Sequence, residues 1–351
     1  MSTTVRKKRK LKKSVKILLV LLAILFLIGA GGQLYMGSLL NKMNKTGTMG
    51  QHEAGIAEEI RHTPVNKNIF NFLLFGADSN TFSENEGMDR ADATKIISLD
   101  KANKTIKIAS LQRDTMVWIP DPVDDFSKLN HAYWWGDADL AIRTVNVNYD
   151  MNITKYVTFS MTGLEAMVDE LGGVDIYLTK AESTYFQDGL IKQTNYQEGT
   201  FHLSGHEARA YAQLREIDND YNRMNRQNVL IKTILLQLKN SSVTQLLSLV
   251  ETVMPYIETN FTNAEIELWL TRMLTYDLKN IETQDVPKGD EKDRWAEVEY
   301  NGYPYIIILR NYEKMVQDLY EFLYGMKNYS ISTQAAGIHD DIYQKFADEL
   351  K

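Results

Sequence analysis

From Ile17 to Tyr35 the chain carries no charged residue and is mostly apolar. About 20 such residues cross the hydrocarbon core of a bilayer as a helix, so residues 17–36 read as a transmembrane helix. Residues 1–16 hold eight basic residues and no acidic one, and only Lys42 and Lys45 stand close behind the apolar run. Positive charge collects on the cytoplasmic side of such spans. The asymmetry predicts a cytoplasmic tail at 1–16 and, beyond the single pass, an extracellular remainder held at the cell membrane. A cleaved signal peptide is the rival, but this run is longer than a usual signal core and no clear small-x-small site succeeds it.

The rest of the chain is acidic. The formal net charge is −7, so the eight basic residues of the first sixteen leave −15 on residues 17–351. Such a body is a poor general binder of nucleic acid, which needs many phosphates neutralised. There is no cysteine, which excludes disulfides and thiolate metal sites. A polar stretch with scattered glycine and charge, 37–66, reads as a juxtamembrane stalk, and an ordered domain is expected over 67–330 with a tail at 331–351. In that tail Ile342, Phe346 and Leu350 are spaced by four, the spacing of a small amphipathic helix.

Within the domain, Phe70 to Phe75 is an apolar run stopped by Gly76, a buried strand ending at a tight turn. Ala93–Asp100 and Thr105–Leu111 read as a hairpin. Tyr156–Ser160, Met161–Leu171 and Val174–Leu178 read as strand, helix and strand, with Gly172 and Gly173 closing the helix. That alternation implies an α/β sheet with helices on its faces. After about Thr200 the pattern turns helical. Ser204 and Glu207 form a capping box for a helix from Gly205, and further helices fall near 242–257, 263–276 and 311–326. Tyr303–Leu309 reads as a late strand.

Several charged residues stand at the ends of apolar runs, where burial is costly without a partner. Asp78 and Asp92 lie at neighbouring strand ends with Arg90 between them, a set able to hold a hard cation against a phosphate. Taken alone, the stretch reads more simply with Asp78 and Ser79 as turn-formers and Asp92 as a solvated strand start. Arg113 and Asp114 end the next strand. Arg223 and Arg226 share a helix face three residues apart, with Asp220 at the helix start and Arg215 just before it, a reasonable pyrophosphate cradle. No nucleophile elbow, P-loop or dinucleotide fingerprint is present, and His202 and His206 lack an H-E-x-x-H context for zinc.

Seven stretches in order, N-F-L-L-F-G-A-D-S, D-R-A-D-A, I-A-S-L-Q-R-D-T, K-L-N-H-A-Y, L-G-G-V-D, H-L-S-G-H-E-A-R-A-Y and D-Y-N-R-M-N-R-Q, resemble the LytR-CpsA-Psr family of Gram-positive cell-wall glycopolymer transferases. The resemblance runs over roughly residues 68–330. It implies an α/β/α fold with a mixed central sheet, behind one transmembrane helix. It also implies an enzyme that moves a glycopolymer (teichoic acid, capsule or similar) from a polyprenyl-pyrophosphate carrier to peptidoglycan through a phosphodiester, using Mg²⁺ or Mn²⁺. By position, Asp78 and Asp92 would ligate the metal. Arg90, Lys128, Arg215, Arg223 and Gln227 would surround the pyrophosphate, with Arg226 added for its shared face with Arg223. Arg113, Asp114 and Asp220 would form the catalytic set, Asp220 being the first candidate base and Asp114 the second. The lipid would enter an apolar cleft among the helices.

Three positions depart from the family's pattern. Asn80 stands where an arginine often comes after the D-S pair, Gln213 replaces the first arginine of an R-x-R pair, and Gln112 replaces a proline. Two alternatives stay open at this point. With water as acceptor the same residues would make a polyprenyl-pyrophosphate phosphatase. Without turnover the chain would be a membrane-bound regulator or a binder of lipid-linked glycan.

Overall fold

The strand expected at Phe70–Phe75 lies in the interior of a seven-stranded mixed sheet. The computed structural model describes residue 32 and residues 34–61, 66–78, 90–187, 195–273, 275–288 and 295–350. The chain divides into two units, residues 1–42 and 43–351. Of the first, residues 34–40 are helical. The stretch 17–36 lies mainly outside the described residues, and among those described no helix is long and apolar enough to cross a membrane. The sheet, its helices and the charged cluster all belong to the second unit.

Its strands are β1 (Asn44–Lys45), β2 (Ile69–Ala77), β3 (Ala91–Asp100), β4 (Thr105–Leu111), β5 (Met116–Ile119), β6 (Asp125–Lys128), β7 (Tyr156–Ser160), β8 (Val174–Leu178), β9 (Gly199–Leu203), β10 (Ile257–Thr259), β11 (Glu282–Val286), β12 (Trp295–Tyr300) and β13 (Tyr303–Leu309). The helices are α1 (Glu58–Arg61), α2 (Leu129–Tyr149), α3 (Met161–Glu170), α4 (Lys180–Gln187), α5 (Gly205–Gln213), α6 (Asp220–Asn240), α7 (Val243–Val253), α8 (Asn263–Met273), α9 (Tyr312–Tyr324) and α10 (Thr333–Lys345). The main sheet runs β1-β10-β7-β2-β3-β4-β11, with β2 antiparallel to β3 and parallel to β7.

Period-two alternation along the strands divides the core into layers. On β3, Ile96 joins a cluster with α2 and α9, whereas Ile97 and Leu99 face the other way, toward partly buried residues of α6 and α8. A third cluster fills the space among α3, β8, α5, α6 and α7. Helices thus cover both sheet faces, the expected α/β arrangement.

Two boundaries differ from expectation. Residues from 43 onward, read as stalk, belong to the folded unit: β1 pairs with β10, and Ala54, Ile56, Ala57 and Ile60 are buried in the main core. Four apolar residues with polar neighbours carry too weak a pattern to announce this by themselves. Likewise the tail is not separate. α10 packs Ile342 into the same core, together with Phe346 just beyond it, and Ser332 caps it through Ala335.

Candidate functional site

At the ends of β2, β3 and β4 the charged residues converge. Asp92 is brought there by a break in register. Gly76 pairs with Ala93 and Ala77 with Ala91, which leaves Asp92 as the extra residue of a β-bulge. Regular alternation would set Asp92 on the side of Thr94 and Ile96. The bulge turns it instead toward α6.

Asp92 is gripped by arginines. Arg113 Nη1 donates to its Oδ1 at 2.5 Å and Arg215 Nη2 to its Oδ2 at 3.1 Å, while Arg223 Nη1 lies 3.8 Å from Oδ1. Arg223, only 1% exposed, sets Nη2 at 2.8 Å from Asp220 Oδ1. Lys128 Nζ donates to Asp114 Oδ1 at 2.8 Å, and Arg113 Nε stands 3.4 Å from Asp114 Oδ2. Four cations (Arg113, Lys128, Arg215, Arg223) therefore meet three carboxylates (Asp92, Asp114, Asp220) in one partly buried cluster.

Among the described residues the cluster leaves polar atoms unmatched by hydrogen bonds on both sides, the two Asp220 carboxylate oxygens included. Nε of Arg113, Arg215 and Arg223 is buried with no hydrogen-bond partner among the described residues. A buried unmet donor costs about 1–3 kcal/mol, more when charged. Arg223 is held below the usual arginine range, first by burial and then by repulsion from Arg113 and Arg215, which outweigh the attraction of Asp220 and Asp92. Arg113 is shifted upward because Asp114, Asp220 and Asp92 overcome its burial. An anion with several acceptor oxygens suits the arginine donors, while the Asp220 oxygens remain acceptors beside it.

The other expected residues fall into place around this centre. Asp78 comes directly after β2, is 53% exposed, and accepts from Arg209 Nη2 at 3.4 Å and from Gln213 Nε2 at 3.3 Å. Arg209 went unread in the sequence, although Gln213 lies four residues on and so shares its helix face. α5 can present both because Gly205 lies against α3; a Cβ there would stand 2.2 Å from the Glu165 carbonyl oxygen. Arg209 also reaches Glu165 at 3.1 Å. Arg90 lays its guanidinium over Trp134, 4.4 Å from the ring centre, and its carbonyl accepts from Asp78 N at 3.4 Å. Gln227 lines an apolar cavity beside the cluster. Gln112, where the family has proline, uses its side chain to accept from the Asp114 backbone N–H and so fixes that residue.

Arg226 does not join the cluster. It is 5% exposed, takes both Asp218 oxygens at 2.7 Å, and reaches Glu182 at 3.1 Å and the Leu214 carbonyl at 2.8 Å. Three residues along a helix is about 300°, enough to give Arg223 and Arg226 different neighbours when both are buried. His131 is also structural: Ser127 Oγ holds its Nδ1 at 2.7 Å, and burial, with Arg90 and Lys128, pulls its pKa down to about 4.

The cavity beside the cluster has a volume of about 220 Å³ and lies between β2, β3, α3 and α6. Ala93, Leu164, Met167, Leu230, Ile234 and Leu238 are among its walls. Sequence periodicity marks these residues only as core, because a wall around a space and a wall against a neighbour look alike.

Asp78 and Asp92, the expected metal pair, suit one kind of ion. Among the described residues no three His, Cys, Asp or Glu side chains gather into a cation cage. Two carboxylates are what Mg²⁺ commonly takes from a protein when phosphates and water complete its octahedron. The residue types are those of such an ion and not of an all-protein site, while both Asp92 oxygens already accept from Arg113 and Arg215 and Asp78 Oδ1 from Arg209 and Gln213.

Fold and site define an α/β protein whose strand ends carry an arginine-rich cluster next to an apolar cavity. The chain belongs to the LytR_cpsA_psr family, whose model matches residues 35–319. It is 31% identical over 248 residues to the polyisoprenyl-teichoic acid–peptidoglycan teichoic acid transferase TagT of Bacillus subtilis (strain 168), covering 68% of this chain and 74% of that one. It is 32% identical over 231 residues to the TagU transferase of the same description from Enterococcus faecalis (strain ATCC 700802 / V583), covering 64% and 71%. Among solved structures, TagT bound to LIIa-WTA superposes with a TM-score of 0.58 at 25% identity, over 76% of this chain and 93% of that one.

Proposed function

We propose that the chain is a phosphotransferase that moves a glycopolymer from a polyprenyl-pyrophosphate carrier to peptidoglycan through a phosphodiester bond. The observation that carries this is the arginine cluster around Asp92, with unmatched Nε donors, next to an apolar cavity that Ala93 and Gln227 line. A charged diphosphate joined to a long hydrocarbon needs both, side by side. The relatives' names supply the rest: they describe transferases of teichoic acid from polyisoprenyl to peptidoglycan.

In this assignment Arg113, Arg215 and Arg223 bind the diphosphate, with Arg90, Lys128, Arg209 and Gln227 at its margins. The acceptor hydroxyl attacks the phosphorus that carries the glycopolymer. The bond to the bridging oxygen breaks, and the lipid leaves as its monophosphate. Phosphoryl transfer asks the protein mainly for alignment and charge neutralisation, and arginine forks provide both. Asp220, beside the clamp, takes the hydroxyl proton. Asp78 and Asp92 would hold Mg²⁺, which when bound neutralises diphosphate oxygens. The domain works outside the cell membrane, where peptidoglycan lies, tethered by residues 17–36.

The test incubates the full chain with Mg²⁺, a short polyprenyl-pyrophosphate-linked oligosaccharide and a peptidoglycan oligomer. A phosphodiester adduct that disappears with EDTA, and in Asp92→Ala and Arg113→Ala, is the expected result. Cleavage with no adduct would make it a phosphatase, and binding with no turnover a regulator.

A further inference from the structure

A second pocket, of about 510 Å³, opens on the other flank of Asp114 and Asp220. It shares no lining residue with the apolar cavity: α6 gives its first turn to the one and residues 227–238 to the other. Its far wall is the β12–β13 hairpin, through Trp295, Glu297 and Tyr305. The hairpin is fixed to the site, because Ile307 N donates to the Asp114 carbonyl at 2.8 Å and Ile307 bridges to Thr115.

The chemistry of this pocket differs from that of the arginine cluster. Among the described residues no arginine or lysine lines it; Asp114, Asp220 and Glu297 do. With Asp114 paired to Lys128 and Arg113, and Asp220 to Arg223, the described lining offers a second phosphate no cation of its own. Aromatic faces are the other component. Trp295 stacks on Tyr221 with ring centres 5.6 Å apart and planes at 21°. Tyr305 stands 71% exposed on a left-handed backbone, with φ of 58°. That backbone belongs to the hairpin's β-bulge, where Pro304 and Tyr305 stand opposite Glu299 alone, and it leaves the Tyr305 ring exposed at the pocket. Flat rings for the C–H faces of a sugar and carboxylates for its hydroxyls suit a neutral saccharide, and the pocket adjoins the candidate base Asp220.

We propose that this pocket is the acceptor subsite and that it takes a saccharide stretch of the glycan, with Tyr305 and Trp295 as stacking faces and Glu297 accepting from sugar hydroxyls. This rests on the transferase reading, and the experiment separates the two. The full chain is titrated by calorimetry with a tetrasaccharide of alternating N-acetylglucosamine and N-acetylmuramic acid whose lactyl carboxyls are capped as amides, so that the probe is neutral, and acceptor KM is measured in the transfer assay. Tyr305→Ala is expected to weaken tetrasaccharide binding and raise acceptor KM about tenfold, Glu297→Gln about fivefold, with Tyr305→Phe close to wild type. Donor KM serves as the internal control. Transfer with an acceptor KM indifferent to Tyr305 and Glu297 would overturn the subsite and keep the transferase. Tetrasaccharide binding through Tyr305 in a chain that does not transfer would keep the saccharide site and overturn the transferase. A wild-type chain that does neither would overturn both.

Discussion

Lys95 Nζ donates to Asn228 Oδ1 at 2.9 Å, joining the middle of β3 to the helix that carries Arg223. Ser110 Oγ takes a second Lys95 hydrogen bond at 2.8 Å, and Asp285 pairs with Ser110 on the next strand. A largely buried polar row therefore lies behind the arginine cluster, with Asn228 Nδ2 and Asp285 Oδ1 left unmatched among the described residues.

That row predicts a pH signature. Burial pulls the Lys95 ammonium from 10.5 to about 7, against the field of Asp285, and burial pushes the Asp285 carboxyl from 3.8 to about 6. Between pH 7 and 10 the unfolded chain holds the Lys95 proton and the folded chain does not, so this residue's contribution to stability rises with pH. Between pH 4 and 6 the folded chain holds the Asp285 proton and the unfolded does not, so that contribution falls as pH rises. Urea denaturation across pH should show Lys95→Met flattening the first slope and Asp285→Asn the second. Variant curves parallel to wild type in both windows would contradict the burial of this pair.

Arg223 and Arg226 should separate cleanly. Lysine keeps the charge and loses the fork. Arg226→Lys breaks the double contact to Asp218 and is expected to cost about 2 kcal/mol of unfolding free energy, with the Kd for inorganic pyrophosphate unchanged. Arg223→Lys is expected to weaken pyrophosphate binding at least tenfold. Calorimetric titration beside chemical denaturation checks both, and equal loss of pyrophosphate binding would return Arg226 to the site.

Filling the cavity should strike the lipid and spare the phosphate. Ala93 is half-buried and lines the space. Ala93→Phe is expected to raise KM for a long-prenyl donor at least tenfold, with pyrophosphate binding retained and a stability loss of about 1–3 kcal/mol from strained packing. A donor KM that ignores the substitution would place the hydrocarbon elsewhere.

The two proposed metal ligands should fail differently. Asp78 is half-exposed, and Asp78→Asn is expected to raise the Mg²⁺ concentration for half-maximal transfer about tenfold without moving Tm. Asp92→Asn leaves Arg113, Arg215 and Arg223 facing one another, so it should abolish transfer and also lower Tm by several degrees. Activity that survives EDTA in the wild-type chain would remove Mg²⁺ from the scheme altogether.

The elements were legible where local chemistry is strong. Tyr156–Ser160 and Val174–Leu178 fall on the residues expected, and Ser204 with Glu207 makes the anticipated capping box. Alternation, capping residues and glycine ends act over a few residues, so a linear pattern carries them. Most of the arginine cluster was named too, because its members stand at the ends of apolar runs and recur in the family's stretches.

What the chain could not state in one dimension are the relationships set by register and packing. The bulge that turns Asp92 toward Arg223 depends on how β2 and β3 slide past each other, and no single strand encodes it. The commitment of Arg226 to Asp218 and Glu182 depends on a loop and a helix far from its own turn. The apolar cavity and the pocket under Tyr305 are spaces, made by residues that look like ordinary core or ordinary surface until their neighbours are known. Sequence by itself determined the secondary elements, the charge asymmetry and the residue types of the site, since these arise from short-range chemistry. The tertiary structure alone decided which charges meet, which are already paired and where the empty space lies, since those are contacts between segments up to two hundred residues apart.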